Sequence, residues 1–314
     1  MSAGLDPAVK GISRIDFVSG VNGRRYSVSL ALPIANRGNT SLPVLYVLDG
    51  YYYFASVVEA ARANWNAPQI VVVGIGYPDD SKFVIETLAR HKPLPEYLAA
   101  VSPWLAACAL ERFYDLTLPA SEAVLIEQRI GGLFAPRTQD VGGLDDFLTV
   151  LKSEVMPRVA SAARVDAANQ AIFGHSLGGL AVLHALFSDP NTYRTFIAAS
   201  PSIWWNHRAV LAKEGSFSAA VCAGSASPRV LITMGGDEAL APSLPLEFGV
   251  DPGEVARAVR HCRMVENARE LTLRLQQLPG TPHYHVADFL LFPHLGHGLA
   301  PWPSIAYAIQ FALQ

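Results

Sequence analysis

Cysteine is scarce in this 314-residue chain. Cys108, Cys222 and Cys262 lie far apart and form no Cys-x-x-Cys pair, so neither a zinc site nor a disulfide framework is indicated; small apolar packing is the expected role. Charge is low as well: 16% of residues are charged, the net charge is -3, and no run of like charges stands out. A nucleic-acid or anionic-membrane surface needs concentrated basic side chains, so neither partner is expected. No uninterrupted apolar stretch is long enough to span a bilayer. Met1-Ser2-Ala3-Gly4-Leu5 lacks the basic-then-apolar order of a secretion signal. The expected compartment is the cytoplasm, or the exterior for a protein whose signal has been removed. Repeats, low-complexity tracts and linkers are also lacking, so one domain over residues 1–314 is expected.

What is present is apolar material: 51% of residues are hydrophobic, ample for the buried core of one large α/β domain. Residues 12–19 and 24–33 alternate apolar and polar side chains around Val21-Asn22-Gly23, which predicts an antiparallel hairpin. From Pro43 the pattern changes. Val44 to Leu48 and Ile70 to Gly74 are near-continuous apolar runs, as expected of parallel strands buried on both faces, with a helix between them over about 54–63. Residues 79–111 form a proline-punctuated excursion (Pro93, Pro95, Pro103) with two apolar helical stretches, either a small cap or a surface insertion. Helical spacing over 140–159 predicts a long amphipathic helix, and strands are expected at 195–199, 229–234 and 285–291. A single helix is expected from about Pro252 to Leu278, with Met264, Ala268, Leu271, Leu275 and Leu278 as its core stripe, and a closing helix over 304–313.

The motif that organises these elements is Gly174-His175-Ser176-Leu177-Gly178, which follows the apolar run Ala171-Ile172-Phe173 and opens into Gly179-Leu180-Ala181-Val182-Leu183. A Gly-x-Ser-x-Gly between a strand and a helix predicts a nucleophile elbow, with Ser176 lifted clear of the sheet at a helix N-terminus. A serine hydroxyl needs a base, and the base needs a carboxylate, in the chain order Ser, acid, His. His297, in His294-Leu295-Gly296-His297-Gly298 beyond the last expected strand, is the candidate base. The acid belongs after the strand ending at Met234, where Gly235-Gly236-Asp237-Glu238 offers two carboxylates: Glu238 is favoured and Asp237 is its rival. An oxyanion hole needs two backbone N–H groups, for which Leu177 and either Gly50 or Tyr51 are the candidates.

Taken together, these residues resemble the esterase family that includes enterochelin esterases, S-formylglutathione hydrolase and related carbohydrate esterases. The matching pieces, in order, are Tyr46-Val47-Leu48-Asp49-Gly50, Gly74-Ile75-Gly76-Tyr77-Pro78, Arg112-Phe113-Tyr114-Asp115-Leu116-Thr117, Phe173 to Leu180, and Ala199-Ser200-Pro201-Ser202-Ile203-Trp204-Trp205. The resemblance implies an α/β-hydrolase fold: a mostly parallel central sheet with an antiparallel N-terminal hairpin and helices on both faces. It also implies cofactor-free hydrolysis of a small-molecule ester, with Ser176 as nucleophile and His297 as base. Arg112, Trp204 and Trp205 are expected near the pocket by that likeness, and His175 joins them as a candidate substrate-binding residue. Residues 79–111 are longer than this family's usual connection, and some siderophore-esterase relatives resemble Ser-His dyads without a clear acid. The same groups would serve an acyltransferase, with an alcohol in place of water, and a non-catalytic relative would keep the fold for binding.

Overall fold

Nine strands form one sheet in the computed structural model, which describes residues 11–34, 41–63, 69–92, 98, 101–128, 136–240 and 252–314. They are β1 (Ile12–Val18), β2 (Arg25–Ala31), β3 (Leu42–Val47), β4 (Val71–Gly76), β5 (Val165–His175), β6 (Thr195–Ala199), β7 (Arg229–Gly235), β8 (His285–Val286) and β9 (Leu290–Phe292). The order across the sheet is β1-β2-β4-β3-β5-β6-β7-β8, with β9 also on β7. β1 and β2 pair antiparallel from Val18 opposite Arg25 to Ile12 opposite Ala31, and the turn between them closes with Ser19 N–H on the Arg24 carbonyl at 2.8 Å. Gly23 takes a left-handed φ of 69° in that turn, which an L-residue rarely adopts. β2 joins β4 antiparallel, and from there to β9 every pairing is parallel.

The near-continuous apolar runs follow from burial on both faces. Every residue of β4, β6 and β7 is buried. Alternate side chains of β3 feed two separate cores: Val44, Tyr46 and Leu48 pack on one face with the helices Leu177–Ser188 and Met264–Gln276. Leu45 and Val47 pack on the other with the helices Gly50–Ala63 and Pro301–Ala312. Removing such side chains from water stabilises the fold by about 1.5–3 kcal/mol each, so the sheet's centre carries most of the hydrophobic free energy.

Three segments depart from the sequence expectations. The long helix over 140–159 is interrupted: Leu144–Val150 and Met156–Ala162 are α-helical, with a π-turn over Leu151–Val155 between them. Pro157, with no N–H to donate, sits where the regular ladder resumes. The single helix over 252–278 is two helices, Pro252–Cys262 and Met264–Gln276, because Arg263 turns left-handed at φ 44°. Met264, Ala268, Leu271 and Leu275 of the expected stripe are all buried on the second. The last strand is split into β8 and β9, both parallel to β7.

Within 79–111, the helices Ser81–Arg90 and Pro103–Asp115 are described, while Pro93 and Pro95 lie outside the described residues. Phe83, Ala107 and Cys108 join the main core, and Trp104 donates its indole N–H to the Pro78 carbonyl at 3.0 Å. Among the described residues no helix is long and apolar enough to cross a membrane.

Candidate active site

β5 ends in the predicted elbow. Ser176 is forced to φ 61°, ψ -116°, and the helix Leu177–Ser188 starts at the next residue. A non-glycine residue held there costs on the order of 1–3 kcal/mol and persists only where its surroundings over-determine it. They do so here: Ser176 N–H bonds the Ala199 carbonyl at 2.9 Å, and the Ser176 carbonyl accepts from Leu180 N–H at 3.0 Å and Ser202 N–H at 3.1 Å. Gly174, before the serine, and Gly179, in the first turn of the helix, are required by contact. A Cβ on Gly174 would lie 2.3 Å from the Gly178 carbonyl oxygen, and one on Gly179 would lie 2.9 Å from that of Ala199.

Ser176 Oγ lies 2.9 Å from His297 Nε2, and His297 Nδ1 lies 2.6 Å from Glu238 Oε2. Three separate loops meet in this line, at the C-terminal ends of β5 and β7 and after β9. Glu238 sits in the 3-10 turn Gly236–Ala239 with its side chain 1% exposed. Its other oxygen accepts Gly235 N–H at 2.8 Å and the Ser200 hydroxyl, so fixed donors replace the water that burial removed. The adjacent Asp237 engages through its backbone, its N–H on the Leu295 carbonyl at 3.1 Å.

Neither glycine beside His297 is required by contact. A Cβ on Gly296 or Gly298 would meet open space, whereas one on Gly235 would lie 2.3 Å from the Leu295 carbonyl oxygen. The histidine loop therefore comes close by resting on Gly235, the residue that also donates to Glu238.

Leu177 and Gly50 each open a helix, Leu177–Ser188 and Gly50–Ala63, at the ends of the adjacent strands β5 and β3. N–H groups of a first helical turn have no acceptor within the helix, and Tyr51 shares that turn. Gly50 is pressed onto β4: a Cβ there would be 2.8 Å from the Gly74 carbonyl carbon and Ile75 nitrogen. Asp49, just before it, adopts φ 52° and is buried. Burial raises its pKa, and the Arg112 guanidinium opposes that rise, with Arg112 Nε on Asp49 Oδ1 at 2.8 Å.

Arg112 also donates Nη2 to the His175 carbonyl at 3.3 Å, which places its charge beneath the elbow. Trp204 and Trp205 are buried beyond Ser202, with Trp205 Nε1–H on the Leu118 carbonyl at 2.9 Å. His175 is buried, its ring against that of His297. Ser200 and Ser202 are additions that residue patterns did not single out: Ser200 bonds Glu238, and Ser202 Oγ lies 3.4 Å from Ser176 Oγ. Their signal was present in Ser200-Pro201-Ser202 directly after β6, where Ser200 turns left-handed at φ 43°. Among the described residues no group of three or more His, Cys, Asp or Glu is gathered to hold a metal ion.

Sheet order, hairpin, flanking helices and a strained serine between β5 and its helix define an α/β-hydrolase. The chain belongs to the esterase family described as "Putative esterase", whose model matches residues 123–290. It is 30% identical to the siderophore enterobactin esterase of Emericella nidulans, over 94% of this chain and 91% of that protein. Identity to the ferri-bacillibactin esterase BesA of Bacillus subtilis is 28%, over 92% of this chain and 85% of the relative. The structure of the siderophore hydrolase EstA from Aspergillus nidulans superposes with a TM-score of 0.77 at 26% identity, covering 99% of this chain and 97% of that one.

Proposed function

We propose that the protein hydrolyses ester bonds of a siderophore through a covalent acyl-enzyme, with Ser176 as nucleophile, His297 as base and Glu238 as the acid that orients it. The reading rests chiefly on one observation, the unbroken line Ser176 Oγ, His297 Nε2, His297 Nδ1, Glu238 Oε2 at 2.9 and 2.6 Å. With Nδ1–H donated to the carboxylate, the lone pair of Nε2 faces the serine hydroxyl. Ser176 Oγ attacks the ester carbonyl carbon as Nε2 takes its proton. The carbonyl oxygen becomes an oxyanion, held by the N–H of Leu177 and that of Gly50 or Tyr51. Collapse breaks the ester bond, and the imidazolium returns its proton to the departing alkoxide.

Water then attacks the acyl-enzyme. His297 takes a proton from it, and collapse releases the carboxylic acid and restores the Ser176 hydroxyl. The His297 side chain is 45% exposed, which gives water a path to Nε2. An alcohol arriving by the same path would give acyl transfer instead. The reading takes residues 1–314 as one domain.

The substrate class is supported by relatives named as a siderophore enterobactin esterase and a ferri-bacillibactin esterase, each aligned over more than nine-tenths of this chain. The test is incubation of wild type and Ser176→Ala with enterobactin and with 4-nitrophenyl esters of increasing acyl length, followed by chromatography of the products. Wild type is expected to open the siderophore and the variant to leave it intact. Hydrolysis that survives in Ser176→Ala refutes the serine mechanism, and turnover of nitrophenyl esters without the siderophore refutes the substrate class.

A further inference from the structure

We propose that His175 is a positioning residue for His297, its ring, held by Tyr53, fixing the base's imidazole between Ser176 and Glu238. The inference rests on the proposed role of His297 as base. His175 ends β5, one residue before Ser176, and is only 4% exposed, so its ring has little surface for a substrate. What the ring touches is the catalytic constellation: its centroid lies 4.6 Å from that of His297, the planes tilted by 40°.

The ring is anchored from two sides. The Tyr53 hydroxyl, carried on the helix Gly50–Ala63, lies 3.0 Å from His175 Nδ1, and Arg112 holds the His175 carbonyl from below. Tyr53 is itself wedged edge-on between Phe173 and Trp302, with ring centroids 6.3 and 6.0 Å away. His175 Nε2 is buried without a hydrogen-bond partner, so Tyr53 is the group that fixes the ring's rotation.

The Tyr53 hydroxyl meets Nδ1 as donor or as acceptor, so it holds either neutral form of the ring in place. The ring also stays uncharged: burial holds its pKa well below 6.5, and the proximity of His297 and Arg112 lowers it further. The surface against which His297 packs therefore does not oppose the imidazolium formed in turnover. A loop whose own glycines meet open space gains from it a rigid wall for its histidine.

The test compares wild type with His175→Phe, which keeps an aromatic ring but loses both nitrogens, Tyr53→Phe, which loses one oxygen, and His175→Gln, which keeps a donor and an acceptor. His175→Phe should lower kcat about tenfold with KM within about twofold, Tyr53→Phe should lower it less, and His175→Gln should recover part of the loss. A second readout needs no substrate: the low-field proton resonance of His297 Nδ1–H against Glu238, sharp in wild type, should broaden in His175→Phe. Unchanged kcat and resonance in folded His175→Phe and Tyr53→Phe overturn the proposal, as does a loss confined to KM, which marks a substrate contact. Should His175→Phe fail to fold, Tyr53→Phe carries both readouts alone. A wild type that hydrolyses no ester refutes the proposed function, while the resonance still reports whether His175 positions the ring.

Discussion

Replacing Glu238 by glutamine changes one atom and tests the orienting acid. The carboxylate accepts from His297 Nδ1, Gly235 N–H and the Ser200 hydroxyl. In Glu238→Gln the amide oxygen can keep the Gly235 and Ser200 bonds, which leaves the NH2 group facing His297 Nδ1. Donor then meets donor, and the imidazole answers by placing its proton on Nε2, where it can no longer accept from Ser176. A triad histidine locked in the wrong tautomer loses about 10³- to 10⁴-fold in kcat, or about 4–5.5 kcal/mol of transition-state stabilisation. The assay is kcat/KM for a 4-nitrophenyl ester near pH 8, beside Asp237→Asn, expected within about twofold of wild type because Asp237 engages through its backbone. A Glu238→Gln enzyme within threefold of wild type would refute the reasoning and make the site a dyad. A larger loss in Asp237→Asn would transfer the role to its neighbour.

Ser176→Ala should abolish turnover yet shift Tm by no more than about 2 °C, since alanine keeps the backbone bonds that hold the elbow. Gly174→Ala drives a Cβ to 2.3 Å from the Gly178 carbonyl oxygen and should cost at least about 3 kcal/mol, whereas Gly296→Ala, with open space around it, should cost under about 1 kcal/mol; chemical denaturation separates the two. Asp115 is wholly buried between the Tyr26 and Tyr77 hydroxyls, and burial raises its pKa from 3.8 to about 7. The folded state therefore keeps this proton over a window in which the unfolded chain has lost it, so this group's contribution to stability falls as pH rises from about 4 to about 7. The Tm difference between Asp115→Asn and wild type should accordingly grow in the variant's favour from pH 4.5 to pH 8. A difference that stays flat or shrinks contradicts the shift.

The elements that position the site could be read in the sequence because they are short and uniformly buried. Phe196–Ala199 and Val230–Ile232 are unbroken apolar runs inside strands that are wholly buried. The elbow was legible because Gly-x-Ser-x-Gly stands between an apolar strand-length run and an apolar helical one, and the Gly178 carbonyl indeed leaves no room for a Cβ on Gly174. What could not be read depends on pairings between distant segments. Glu238 and Asp237 are adjacent carboxylates, and the turn that points one of them at His297 is fixed by packing of Gly235 on Leu295, sixty residues later. The contact between Arg112 and Asp49 likewise joins two motifs whose sequence neighbours give no sign of the other. The break at Arg263 is hidden for a different reason, since a left-handed residue between two helices leaves the apolar spacing on either side intact.

The central claim is a covalent bond to one oxygen. Wild type mixed with 4-nitrophenyl acetate and quenched in acid within milliseconds should show an intact mass raised by one acetyl group, and peptide mapping should put that group on Ser176. The adduct should be missing from Ser176→Ala and should accumulate ahead of steady-state release of acetate. Turnover with no adduct on Ser176, or with the acetyl group carried by another residue, would contradict the account.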